Sequence, residues 1–410
     1  MHAILVTLGT DGDVFPFVGL GIRLRARGHR VTLVANEHYQ SAAVRQGFAF
    51  RGLVSNQETK ELIGNPQIWH PVKSAIVGAR WGRRALQRQY TLLAELARDE
   101  DAVLVAYPPV FVARLVHEKL SRPLASLVVM PWMILSMSAP PTMAAFPLPR
   151  WAPRWVVKLH WRLLEGAANL LIGRYVNRIG RSLGLQPIRD IYRWSISPQL
   201  AIGMFPDWYA PPQPDWPVQM RLAGFPLFDG GSEEAMPQGL LDFCHAGQPP
   251  VAFTFGSGMM HGAKLFRNAI EACRILGQRG ILLTKFRDQL PTPLPSFVQH
   301  CDYAPFGKLL PHCNGAVHHG GVGTTAQALA AGIPQLILPM AWDQPDNAVR
   351  IKRLGAGHWL SPNSSGVRIA GALANLMTPE TRARCRAVAA GFGNGDPFEV
   401  AAQWIEKLAH

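Results

Sequence analysis

His318-His319-Gly320-Gly321-Val322-Gly323-Thr324-Thr325 follows the apolar run Gly315-Ala316-Val317 and leads into Ala326 to Ala331. It reads as a strand that turns through glycines into the first turn of a helix. Glycines let backbone N–H groups approach an anion, and the helix dipole favours negative charge at that end. The stretch therefore describes a diphosphate site, with His319 where an imidazole N–H reaches the same phosphates. Gly332-Ile333-Pro334, a second apolar run from Gln335 to Pro339 and the polar pair Asp343-Gln344 come next. Two consecutive strand ends thus offer ligand groups on one side of a sheet.

The same rhythm extends outward. Val251 to Phe255 reads as a strand, Gly256-Ser257-Gly258 as its turn, Lys264 to Leu276 as a helix and Gly280 to Thr284 as the next strand. In the first half, Ala3 to Leu8 and Arg30 to Ala35 read as strands. The helix between them runs from Pro16 to Arg27, with Asp13 at or near its cap, Pro16 in its first turn and Gly28 just past its end. Ala102 to Ala106 and Ala125 to Val129 are further strands around a helix near Val112 to Lys119. Thr59 to Arg98 and Trp155 to Tyr192 read as mainly helical. Strand–helix–strand alternation predicts an α/β fold of parallel sheets with helices on both faces. A chain of 410 residues favours two domains of about 200 residues each. Phe205 to Pro217 is rich in proline and aromatics and reads as a break. The expected partition is 1–228, 229–390 and a C-terminal helix within 391–410 that packs back on the first domain.

The formal net charge of +14 suits an anionic ligand or surface. Nucleic acid is not the expected partner, because no recognition motif accompanies the charge. Much of the excess lies between Arg150 and Arg193, where Glu165 and Asp190 are the only acids. Two readings stand for that stretch: a helix face lying on an anionic membrane, or an ordinary solvated face. The five cysteines show no metal or redox spacing, which suits a reducing compartment. Met1 to Asp11 reads as a first strand rather than a leader. Pro123 to Pro149 carries no charge, but its prolines leave no apolar run long enough to cross a bilayer. The expected location is cytoplasmic, with peripheral contact at the inner membrane face.

At these residues the chain resembles the GT-B glycosyltransferases of family 1, the UDP-glycosyltransferase and antibiotic glycosyltransferase group. The resemblance is most specific from Tyr303 to Gly357. It is most similar to the rhamnosyltransferase branch of rhamnolipid biosynthesis, through Gly12-Asp-Val-Phe-Pro-Phe17, Phe205-Pro-Asp-Trp208, Gly224-Phe-Pro-Leu-Phe-Asp229 and Asp346-Asn-Ala348. The resemblance implies two Rossmann-like, doubly wound domains facing across a cleft. It implies a nucleotide-sugar co-substrate and no cofactor. Tyr303 stands where an aromatic stacks on the base, and Phe306 replaces a glutamine common in the family. His319, Gly321, Gly323 and Thr324 match the diphosphate loop; Gly256 and Ser257 match a second loop reaching the same diphosphate. Asp343 and Gln344 match the pair that binds the sugar hydroxyls. Gln327 stands where many UDP-sugar enzymes carry a glutamate on the ribose. A neutral amide there favours a dTDP-deoxysugar such as dTDP-rhamnose, with UDP-glucose as the alternative. Gln327 is otherwise a solvent-exposed helix residue.

The family's catalytic base falls on Asp13, where a carboxylate taking the acceptor's proton is worth about 10²–10⁴-fold. Two rivals stand beside it: Asp13 as a helix cap worth about 1 kcal/mol, and Asp11-Gly12-Asp13 as a metal motif. The position of that motif, in the first strand–helix turn, speaks against a metal, and none is expected. Trp132, Met133, Met137, Met143, Phe146, Trp151 and Trp155 are candidates for an apolar acceptor wall, against ordinary core packing. The expected activity is inverting transfer of a sugar to a hydroxyl of an apolar acceptor, such as a hydroxy-fatty-acid lipid. A UDP-glucose transferase acting on a phenolic or polyketide product is the alternative. A sugar-nucleotide epimerase or hydrolase, and a non-catalytic binding subunit, remain as other classes.

Overall fold

The computed structural model of the chain describes residues 1–144, 147–149, 151–230 and 235–409. The first sheet holds β1 (His2–Val6), β2 (Arg30–Asn36), β3 (Ala49–Val54), β4 (Ala102–Ala106), β5 (Leu124–Val128), β6 (Leu200–Gly203) and β7 (Met220–Leu222). The second holds β8 (Val251–Thr254), β9 (Gly280–Leu283), β10 (Val298–Cys301), β11 (Gly315–His318), β12 (Gln335–Ile337) and β13 (Gly357–Trp359). Their orders are β3-β2-β1-β4-β5-β6-β7 and β10-β9-β8-β11-β12-β13. Every pairing is parallel, for example His2 opposite both Arg30 and Ala102. β1, β4 and β5 are buried along their whole length, as parallel strands covered on both faces must be. This is the expected α/β architecture, two doubly wound sheets.

Each sheet reverses its winding once. The reversal lies between β1 and β4 in the first sheet and between β8 and β11 in the second. Open α/β sheets bind ligands in the crevice at that point, beyond the carboxyl ends of the strands. The segments after β1, β4, β8 and β11 carry Asp13, in the first turn of the following helix, and Tyr107, Gly256 and His319.

Three details differ from the sequence reading. The first helix is Asp11–Ala26, so Thr10 is its cap, Asp13 lies in the first turn and Pro16 lies inside it. Trp155 to Tyr192 is Arg154–Ala168, a π turn over Asn169–Gly173, then Arg174–Ser182 and Ile191–Ser195. The proline- and aromatic-rich stretch is not an open break. Phe205 and Tyr209 are fully buried. Trp208 stands 5.9 Å from Phe225 and 5.4 Å from Phe392, centroid to centroid, and Tyr209 stands 4.8 Å from Phe225. The prolines bend the chain so that its rings close one cluster.

The main core runs from β1 through this cluster to Ala326, Ile337 and Ile351, and on to Phe398 and Ile405. The last helix, Pro397–Ala409, lies on Asp11–Ala26. A Cβ at Gly19 would strike the Phe398 ring. Arg23 pairs with Asp396, Arg27 with Glu399 and Glu406, and His29 with Glu406. No helix among the described residues is long and apolar enough to cross a membrane.

Candidate active site

Asp13 is held by its own turn. Its Oδ2 accepts the Thr10 amide at 2.9 Å and the Thr10 hydroxyl at 3.4 Å. Its Oδ1 accepts the Tyr107 hydroxyl at 3.0 Å. Gly9, at φ +130°, makes room for it, since a Cβ there would run into the carboxylate. Asp13 is half-buried, and desolvation raises its pKa; the Thr10 and Tyr107 hydrogen bonds oppose that rise. The cap at Thr10 and the bonded Asp13 are thus parts of one turn. The neighbouring Asp11 is used elsewhere: its Oδ1 accepts the Tyr39 hydroxyl at 2.7 Å. Among the described residues no group of three or more His, Cys, Asp or Glu is suited to a metal.

The opposite wall is built by β8 and β11. The His319 ring lies between two glycines: a Cβ would come within 2.5 Å of its Nε2 at Gly321 and 3.2 Å at Gly256. Residues with side chains at either place would displace the imidazole. Its Nδ1 is buried with no hydrogen-bond partner. Desolvation, helped by His318, pushes the ring's pKa down to about 3, so it is neutral with one N–H to donate. His318 is fully buried and sits behind it. The Gly320 N–H donates to His318 Nδ1 at 3.1 Å, so Nε2 carries the proton and donates to Gln335 Oε1 at 2.9 Å. Burial pushes the His318 pKa to about 4.

Two helix N-termini meet here. A Cβ at Gly323 would lie 3.9 Å from the Gly12 Cα, and one at Gly258 would lie 3.4 Å from Thr10 Cγ2. The helix Val322–Ala330 therefore points its positive end at that of Asp11–Ala26. The N–H groups of Val322, Gly323 and Thr324 have no intrahelical acceptor. The Val322 N–H donates to Asp343 Oδ2 at 3.2 Å. Those of Gly323 and Thr324 lie at the same helix end.

Asp343 is 6% exposed and also accepts Asn347 Nδ2 at 2.7 Å. Desolvation, with the charge of Asp13 adding to it, raises its pKa to about 7. Asp13 and Asp343, one on each side of the cleft, therefore feel each other. Gln344 spends its Oε1 on the amides of Met340 (2.7 Å) and Ala341 (3.1 Å), which folds its own loop and leaves its Nε2 as the donor. Trp342, just before, has φ +59°, a strained value for a bulky residue, and its ring lies 3.3 Å from a Cβ placed on Gly78 across the cleft.

Gln327 is 5% exposed, not a solvated helix residue. Its Nε2 donates to the Leu227 carbonyl at 3.1 Å. The half-exposed Tyr303 donates its hydroxyl to the Asp229 carbonyl at 3.1 Å. Both therefore touch the segment joining the sheets. Ser257 follows Gly256, whose φ of +101° needs glycine. The acceptor candidates divide. Trp132 and Met133 pack partly buried on the main core. Met137 is tied down by Asp215, which accepts its N–H at 2.5 Å. Trp151 and Trp155 are exposed, and Trp155 lines a surface cavity together with Met137. Phe146 lies outside the described residues.

Sequence reasoning did not single out Tyr107, Gly320, Asn347 or Trp342. Tyr107 comes to Asp13 only through the β1–β4 pairing. Gly320, at φ +95°, is the glycine whose backbone the turn requires, and the signal was its place between His319 and Gly321.

Two family models match the chain. Residues 281–406 match the C-terminal domain of erythromycin biosynthesis protein CIII-like proteins. Residues 3–138 match the glycosyltransferase family 28 N-terminal domain. The sterol 3-beta-glucosyltransferase UGT80A2 of Arabidopsis thaliana is 28% identical over 87% of this chain, which spans 57% of that relative's length. The O-mycaminosyltylonolide 6-deoxyallosyltransferase of Streptomyces fradiae is 28% identical, over 87% of this chain and 84% of its own. Among solved structures, the spinosyn rhamnosyltransferase SpnG superposes with TM-score 0.70 at 19% identity, covering 99% of this chain and 100% of its own. The glycosyltransferase VinC in complex with dTDP superposes with TM-score 0.70 at 17% identity, covering 100% and 99%. The folds agree over the whole length, and the chain is a glycosyltransferase of GT-B architecture whose two ends match the family 28 N-terminal and erythromycin CIII-like C-terminal models.

Proposed function

We propose that the chain transfers a sugar, with inversion and without a metal, from a dTDP-linked donor to a hydroxyl of an apolar acceptor. The observation that carries this reading is Asp13, held by Thr10 and Tyr107 directly opposite the His319–Thr324 turn. The acceptor O–H gives its proton to Asp13 as its oxygen attacks the anomeric carbon. The bond from that carbon to the diphosphate breaks on the far side, and the electron pair leaves with the phosphate. The amides of Gly323 and Thr324 and the His319 N–H take up that charge, which such donors do at no reorganisation cost. Asp343 and Gln344 Nε2 hold the sugar hydroxyls, and Tyr303 stacks on the base.

Rhamnose is the favoured sugar. Gln327 offers a ribose no carboxylate, and its amide nitrogen is already engaged. The resemblance to the rhamnolipid rhamnosyltransferases points the same way and adds a hydroxy-fatty-acid lipid as acceptor. A rhamnosyltransferase and a dTDP complex among the similar structures support a dTDP-deoxysugar. The sterol glucosyltransferase supports a second reading, a UDP-glucose enzyme on an apolar alcohol.

Thermal shifts with dTDP and UDP separate the two donors, since a ligand at 100 Kd adds about 2.7 kcal/mol. Transfer is then assayed from dTDP-rhamnose and UDP-glucose to hydroxy-fatty-acid and sterol acceptors. Asp13→Asn should cut kcat by about 10²-fold or more with the nucleotide shift retained; an unchanged kcat would remove Asp13 as base.

A further inference from the structure

The helix Arg154–Ala168 is apolar on two opposite faces. Val157, Trp161 and Ala168 are buried in the protein. On the other side Trp155, Leu159 and Leu163 are 69%, 50% and 65% exposed, and Leu170 beyond them is 63% exposed. Residues four apart fall on one strip of a helix, so these side chains form a continuous apolar line in water. A contiguous patch of this kind marks an interaction surface, whereas a single exposed leucine does not.

The charges beside the strip say what it meets. Arg154, Lys158 and Arg162, all exposed, run along one edge at the same four-residue spacing. The acids of the region do not cancel them: Glu165 and Asp190 both face Arg193. The result is an apolar strip with a cationic border, the chemistry of a helix lying in the interface of an anionic bilayer. At its foot a cavity of about 460 Å³ is lined by Met137, Arg154, Trp155, Lys158 and Asp215. That cavity adjoins the segment after β5, whose Thr142 N–H donates to Asp346 Oδ1 at 2.9 Å, three residues from Asp343.

We propose that this face docks the protein on an anionic lipid bilayer, with Trp155, Leu159 and Leu163 entering the acyl boundary and Arg154, Lys158 and Arg162 at the headgroup phosphates. The proposal does not depend on which donor or acceptor the enzyme uses, and its test needs no turnover. The full chain is floated with vesicles of phosphatidylcholine alone and of phosphatidylcholine with about one third phosphatidylglycerol, at low and high salt. Wild type should float only with the anionic vesicles and come off as salt rises. Lys158→Glu/Arg162→Glu and Leu159→Ser/Leu163→Ser should each lower partitioning about tenfold or more, with unfolding temperatures near wild type because these positions are exposed. Arg45→Glu/Arg51→Glu, an equal charge change at exposed positions on the Gln40–Arg45 helix and the edge strand β3, should partition as wild type. The proposal is overturned if wild type does not float, if the strip variants float as wild type, or if the Arg45/Arg51 control falls equally. It is also overturned if the leucine variants convert a wild-type dimer to monomer, since a second copy then covers the strip.

Discussion

Asp13 must be ionised to take a proton, yet its surroundings favour the neutral form. Burial is the largest influence on it, and the hydroxyl of Tyr107 is among the groups that oppose burial. Tyr107 is thus a positioning residue: it fixes one carboxylate oxygen and stabilises its charge. Tyr107→Phe removes that donor, which moves the Asp13 pKa further up. The acid limb of the kcat/KM profile should shift to higher pH, with activity several-fold down at low pH and approaching wild type at high pH. A uniform loss at every pH would mean that Tyr107 only shapes the loop. Asp343 is a second carboxylate whose charge costs stability, here with a larger effect. In the unfolded chain it releases its proton near 3.8, but in the fold only near about 7. Between those values the folded state holds the extra proton, so stability falls as pH rises. Asp343→Asn keeps an acceptor for the Val322 N–H and removes the charge. It should raise the unfolding temperature at pH 8 by roughly 2–4 °C or more relative to its effect at pH 4, while sugar transfer falls.

At the level of elements, the strand–turn–helix from β11 to Val322–Ala330 is the unit that makes the anion site. It depends on Gly320, where a Cβ would lie 2.7 Å from Ile337 Cγ2 and 3.1 Å from the Gln344 carbonyl, on a left-handed backbone. Gly320→Ala should cost about 2 kcal/mol or more in chemical denaturation and abolish the thermal shift with dTDP. The buried strands β1, β4, β5, β8 and β11 were legible as apolar runs, β4 to the residue and the others with ends within two residues. β3, β6, β7, β10 and β13 were not. The edge strand β3, Ala-Phe-Arg-Gly-Leu-Val, exposes its first half, so neither a continuous apolar run nor a clean alternation marks it. β7 and β13 are three residues each, too short for any period to show.

The whole molecule is tied together by segments far apart in the chain. The Tyr209 hydroxyl donates to Asn347 Oδ1 at 2.7 Å, and Arg353 donates to the Tyr209 carbonyl at 2.9 Å, joining the aromatic cluster to the Asp343 helix. The Pro397–Ala409 helix closes the other side through Phe398, which is 8% exposed against Gly19. Phe398→Ala should destabilise the protein by about 3–5 kcal/mol in urea unfolding. A loss below about 1 kcal/mol would show that the helix is carried by its ion pairs with Arg23, Arg27 and His29 instead.

Local chemistry was enough to announce the strand–helix alternation, the glycine turn at His319 and the carboxylate at Asp13, because each rests on residues within a few positions of one another. The pairing of β1 with β4, the meeting of Gly12 with Gly323 and the influence of Asp13 on Asp343 join residues about a hundred to more than three hundred positions apart. Nothing in a short window encodes such distances. They exist because burying both sheets and one aromatic cluster in a continuous core leaves the two helix N-termini facing across a single cleft.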